Sequence, residues 1–102
     1  MDIKHFILVG DSAGGHLATS VSLLAAIRGF RIPDGIIMHY PVFTMDIFRF
    51  FPSQLLSIDD VLLNVAFTKT FRASFMLNGG NPQQSPILSP MVAPPKLLNL
   101  LP

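Results

Sequence analysis

A chain of 102 residues with a net charge of +1 and no cysteine is at most one domain by length, and it can form neither a disulfide framework nor a thiolate metal site. Its basic residues, Lys4, Arg28, Arg31, Arg49, Lys69, Arg72 and Lys96, are scattered rather than clustered, so no electrostatic footprint for nucleic acid exists. Half of the residues are hydrophobic and 13% are charged, against about 25% charged in an ordinary globular domain, a balance that suits the inner layer of a larger α/β domain.

The first element is an apolar run, Ile3 and Phe6 to Val9, which reads as a mostly buried strand. It breaks at Gly10, presents Ser12 and resumes as a helical pattern from Ala13 to Arg28. Gly10-Asp11-Ser12-Ala13-Gly14 fits G-x-S-x-G, the sharp strand-to-helix turn that pushes a serine hydroxyl out above a sheet. Such a turn holds its serine in an unusual backbone conformation, so the positions two before and two after it, Gly10 and Gly14, are expected to need small residues. Two other readings of the stretch are open to test. Ser12 can be a plain helix N-cap whose side chain accepts a backbone amide. A phosphate-cradling loop requires G-x-x-x-x-G-K-[ST], which fails because His16 follows Gly15 and no lysine lies nearby.

Leu17, Val21, Leu24 and Ile27 recur at helical spacing, with Ala18, Ala25 and Ala26 as small surfaces for packing on a sheet. Gly29 is the expected stop. Ile36 to Tyr40, closed by Pro41, reads as the next strand, which makes a βαβ unit with parallel strands and a right-handed crossover. His39 then falls near the carboxyl end of its strand, the edge at which open α/β sheets bind ligands. Either a pocket role, shared with Tyr40 and Phe43, or an ordinary hydrogen-bonded histidine fits it. His16 sits in the first turn of a helix, where the positive dipole end disfavours an imidazolium, and His5 lies upstream on the wrong side of the turn to reach Ser12.

The stretch from Val42 to Pro52 contains Phe43, Phe48, Phe50 and Phe51 with Met45 and Ile47. It suits an apolar acyl pocket or lid, and equally a core or subunit contact. Ser57-Ile58-Asp59-Asp60 reads as an N-cap with acids in the first turn of a helix carrying Val61, Leu62, Val65, Phe67, Phe71, Phe75 and Met76. Asp59 and Asp60 are read as capping groups rather than catalytic carboxylates. Asn78-Gly79-Gly80-Asn81-Pro82 stops that helix, a proline-punctuated loop follows, and Lys96 to Pro102 reads as a short apolar turn leading toward a strand. No apolar run approaches the ~18 residues of a membrane-spanning helix. The first residues lack the pattern of a secretory signal and no Asn-x-Ser/Thr acceptor occurs, so a cytoplasmic setting is expected.

Gly10-Asp11-Ser12-Ala13-Gly14-Gly15 resembles the GDSAGG elbow of the hormone-sensitive-lipase branch of α/β-hydrolases, a group of esterases and lipases. Arg31-Ile32-Pro33-Asp34-Gly35-Ile36, Tyr40-Pro41, Ser53-Gln54-Leu55-Leu56-Ser57 with Asp59, Leu62-Leu63, and Ser89-Pro90 with Ala93-Pro94 are similar to that branch as well. The resemblance implies a serine hydrolase of carboxylic esters, with Ser12 as nucleophile, the Ala13 amide as oxyanion donor, and Gly10, Asp11, Gly14 and Gly15 building the elbow. It implies a triad in the chain order Ser, acid, His, with further oxyanion donors from an HGGG-type loop. Neither that loop nor a convincing acid and histidine pair is found in these residues, and His16 stands where the branch commonly has asparagine, a change expected to tune the elbow.

The expectation is therefore a partial α/β-hydrolase fold, residues 1–102 forming the central fragment of one catalytic domain. Its substrate is a small-molecule ester or lipid, with no metal, no cofactor, no nucleic acid and no transmembrane segment. Contact of an apolar face with a lipid surface stays open, and a role at lipid droplets follows from the likeness alone. A non-catalytic binding module of hydrolase fold, and a truncated product without activity, are the competing readings.

Overall fold

The computed structural model describes residues 3–46, 49, 51–56, 58–76 and 79–102. The β-branched and leucine residues after Phe6 form strand β1 (Ile7–Asp11), and those after Asp34 form β2 (Gly35–His39). The two strands pair in parallel, Ile7 opposite Gly35 and Asp11 opposite His39. Helix α1 (Ala13–Arg28) connects them, which is the βαβ unit expected from the sequence. Gly29 ends α1 in the left-handed region at φ 70°, and the Phe30 amide turns back onto the Ala25 carbonyl at 2.8 Å, a conformation that glycine adopts without steric penalty.

The burial of these elements departs from the sequence reading in two ways. The first strand starts at Ile7 rather than Ile3, and Ile7 and Val9 are 57% and 65% exposed while Leu8 and Gly10 are half-buried. Side chains alternate across a strand, and α1 covers only the face that carries Leu8, Gly10 and Met38. The second departure is the helix stripe: Leu17, Val21 and Ile27 are exposed, whereas Gly15, His16, Ala18, Thr19, Ser20, Ser22 and Leu23 are buried. Small residues let the helix approach the sheet closely, and their hydroxyls are hydrogen-bonded, as burial of polar groups requires. Thr19 Oγ1 lies 3.0 Å from both the Gly15 carbonyl and Met38 Sδ, and Ser22 donates to the Ala18 carbonyl at 2.7 Å.

At the amino ends of the strands, Arg31 donates to the carbonyls of Ile3 and Lys4, and the Asp34 carboxylate accepts from the Phe6 amide at 2.8 Å. The bond from the Phe6 amide, first, and the nearby Arg31 cation hold the Asp34 carboxyl below its usual pKa. The chain divides into two units, Met1–Thr44 with Asn81–Pro102, and Met45–Gly80. The later part of the first unit carries a 3₁₀ turn (Pro90–Val92), then a four-residue helix, here α4, over Pro95–Leu98. A helix thus stands where a turn was expected, since Pro95 is preorganised for a first helical position.

The second unit contains α2 (Pro52–Leu56), not foreseen from the sequence, and α3 (Val65–Phe75). The helix predicted from Ser57 onward starts later: Asn64 is the N-cap, its side chain accepting from the Phe67 amide at 2.8 Å. Asp60 instead closes a local turn, its carboxylate accepting from the amides of Leu63 and Leu62, which lower its pKa. Val61 and Leu62 are exposed and precede the helix. Arg72 is buried and donates to the Asp46 carbonyl at 3.1 Å, its pKa lowered by burial. Ile47, Phe48, Phe50, Ser57 and Asn78, which enter the sequence readings above, lie outside the described residues. Among the described residues no helix is long and apolar enough to cross a membrane, and no cluster of three or more metal-ligating side chains forms.

Candidate active site

Ser12 occupies the single residue between β1 and α1, with φ 52° and ψ −114°, and it is exposed. A positive φ at a non-glycine residue costs of order 1–3 kcal/mol and persists only where neighbouring structure enforces it. Its side chain makes no capping hydrogen bond, so the N-cap reading does not describe it. The backbone holds it from both sides: its amide donates to the His39 carbonyl at 2.9 Å, and its carbonyl accepts from the His16 amide at 3.2 Å.

Glycine is required here at two positions, one of them different from the expected pair. A Cβ on Gly10 would stand 2.3 Å from the carbonyl carbon and oxygen of Gly14, and one on Gly15 would stand 2.9 Å from Pro41 Cβ. A Cβ on Gly14 meets nothing within 4 Å, so the expectation that Gly14 itself must be small is corrected. What matters at residue 14 is the position of its backbone. The amides of Ala13, Gly14 and Gly15 lie in the first turn of α1, where no intrahelical acceptor exists, at the positive end of the helix dipole.

The carboxyl ends of the two strands bring Asp11, Ser12 and His39 together. His39 Nδ1 lies 2.9 Å from Asp11 Oδ1, with the two side chains 62% and 59% exposed. Tyr40 follows at φ 38°, 75% exposed, its ring 6.3 Å from that of His39 and tilted by 33°. Phe43 is half-buried and fastened elsewhere, its carbonyl accepting from the Met91 amide at 3.1 Å.

The other histidines are committed to other contacts. His16 is buried in α1, with Nδ1 2.9 Å from the Val42 carbonyl and Nε2 3.4 Å from Ser20 Oγ. Burial lowers its pKa, against a smaller opposing effect of the Val42 carbonyl. His5 stands at the other end of the strands, 3.8 Å from Asp34. Sequence reading missed the polar seam that fastens the later segment of this unit: Ser20 donates to the Ile87 carbonyl at 2.7 Å, and Thr44 and Ser89 hydroxyls meet at 3.1 Å. The hydroxyls at Thr19, Ser20 and Ser22 were the available signal, masked by the more hydrophobic stripe beside them.

A parallel βαβ unit with a strained serine at its first strand-to-helix turn defines a class, and the chain belongs to it: the family model described as alpha/beta hydrolase fold matches residues 1–102. Hormone-sensitive lipase from Mus musculus is 55% identical over 60 residues, which are 59% of this chain and 8% of that one. The lipase from Homo sapiens is 54% identical over 60 residues, 59% of this chain and 6% of its own length. The chain thus spans less than a tenth of the length of these relatives. Among solved structures, carboxyl esterase 2 from the mycorrhizal fungus Tuber melanosporum superposes with a TM-score of 0.83 at 26% identity, covering 100% of this chain and 33% of that one.

Proposed function

We propose that these residues are the central portion of the catalytic domain of a carboxylic-ester hydrolase, with Ser12 as its nucleophile. The observation that carries the reading is the backbone of Ser12: a serine held at φ 52° between strand and helix, its hydroxyl uncommitted to capping. In this reading Ser12 Oγ attacks the ester carbonyl carbon as a base removes its proton. The Ala13 amide donates to the resulting oxyanion, and collapse expels the alcohol to leave an acyl-serine that water hydrolyses. Gly10 and Gly15 keep the turn tight enough for that geometry.

The base comes from outside these residues. His16 is buried with its ring engaged, His5 lies at the opposite strand ends, and His39 is paired with Asp11, which precedes the serine, against the family order Ser, acid, His. A serine without its base loses on the order of 10⁴ to 10⁶ in rate, so the 102-residue chain alone is catalytically incomplete. The names of the relatives, a lipase and a carboxyl esterase, support apolar esters as substrates, with His39, Tyr40 and Phe43 as pocket candidates. Contact with lipid surfaces or droplets rests on the likeness to hormone-sensitive lipase.

The test is p-nitrophenyl ester hydrolysis by the longer protein that contains these residues, with Ser12 intact and with Ser12→Ala. Burst release that disappears in the variant is the expected result. Turnover indifferent to the substitution would overturn the assignment of Ser12 and leave the elbow as structure alone, whereas no turnover with Ser12 intact would leave a non-catalytic module of hydrolase fold.

A further inference from the structure

We propose that Asp11 and His39 form a latch that positions Ser12. Its functional meaning rests on the reading of Ser12 as nucleophile, but its test does not. The strand register sets Asp11 directly opposite His39, on the sheet face turned away from α1. Each strand ends at this pair and is followed at once by a non-glycine residue with positive φ, Ser12 at 52° and Tyr40 at 38°. Two such residues on one sheet edge need their flanking backbone pinned, since either relaxes when the strand ends part.

His39 supplies the pin twice. Its carbonyl accepts the Ser12 amide at 2.9 Å, and its ring Nδ1 meets Asp11 Oδ1 at 2.9 Å. One residue thus grips two consecutive residues of the turn through different atoms. Rotation of the peptide between Asp11 and Ser12, the motion that would relieve Ser12, breaks the bond of the Ser12 amide to the His39 carbonyl, and the side-chain pair holds the ends of the two strands at the separation that bond needs. The carboxylate only accepts hydrogen bonds, so the neutral ring must carry its proton on Nδ1, leaving the Nε2 lone pair unprotonated. A free histidine prefers the opposite tautomer, which makes the latch visible spectroscopically. Asparagine places an amide nitrogen at the same distance from Cγ as Nδ1, so His39→Asn retains the donor while removing the ring.

The experiment uses the ¹⁵N-labelled 102-residue chain. Two-bond ¹H–¹⁵N correlation spectra of the neutral His39 ring are expected to show the Nδ1–H tautomer, reverting to Nε2–H in Asp11→Ala. Amide exchange of Ser12 should accelerate by up to roughly fivefold in His39→Ala and in Asp11→Ala, the range expected for an exposed side-chain pair, relative to the buried-helix amide of Leu23. His39→Asn should restore the wild-type rate. The Nε2–H tautomer in the wild type, Ser12 exchange unmoved by His39→Ala, or His39→Asn exchanging as fast as His39→Ala would each overturn the latch. If His39→Ala unfolds the chain, Leu23 exchanges with Ser12 and the tautomer and His39→Asn arms decide. Fluorophosphonate labelling of the longer protein that contains these residues, lost in Ser12→Ala, judges the nucleophile separately, so a failed latch and a failed nucleophile give different results.

Discussion

Gly10 and Gly14 look interchangeable in the motif, yet the structure separates them. Gly10→Ala drives a methyl group into the backbone of residue 14, where no side-chain rotation can relieve it, and should cost about 3 kcal/mol or more. Gly14→Ala meets open space inside a helix, and should be neutral or stabilising by about 1 kcal/mol; urea denaturation of the two variants checks the contrast. His16 gives a second residue-scale prediction. Burial lowers its folded pKa below 6.5, so as pH falls the unfolded chain binds this proton first. Its contribution to stability is complete above 6.5 and is lost as pH falls from there toward the lowered folded value. Denaturation midpoints should therefore drop as pH falls below about 6.5, and His16→Asn should flatten that slope. The strained turn at Ser12 was legible because it needs glycine close by on both sides, at Gly10 and Gly15, even though Gly14 itself has room for a side chain. The Asp11–His39 contact was not, because it depends on the register of two strands separated by a whole helix.

Among the elements, α1 was legible in its limits and misleading in its orientation. Its start after Ser12 and its stop at Gly29 follow from local chemistry, the turn and the left-handed cap. Which face it buries is decided by how closely it must approach the sheet, and there the small and hydroxyl-bearing residues fit better than leucine and valine. Ser20→Ala should cost about 1–2 kcal/mol, because the Ile87 carbonyl loses its donor, whereas Leu17→Gln should stay within about 0.5 kcal/mol in this chain. Thermal unfolding of both variants distinguishes this burial pattern from the leucine stripe suggested by spacing. The helix read from Ser57 shows the same limit: Asp60 and Asn64 both carry capping chemistry, and composition alone does not say which one starts the helix.

For the molecule as a whole, the sheet face bearing Ile7, Val9 and Ile37 is exposed, and exposed apolar strand surface promotes association. The chain should self-associate with rising concentration in sedimentation velocity experiments, and the double variant Val9→Lys with Ile37→Lys should reduce this while leaving its circular dichroism unchanged. That surface also explains the composition: a sheet built to be covered on both faces has few positions for charge. The polar seam beneath α1 has a thermal consequence. Exposing apolar surface on unfolding raises heat capacity, whereas exposing polar surface lowers it. A helix seated on Thr19, Ser20, Ser22 and His16 therefore gives this chain a small heat-capacity increment of unfolding for its length. Its free energy varies gently with temperature, and cooling weakens it less than it would weaken a leucine-packed unit of the same size.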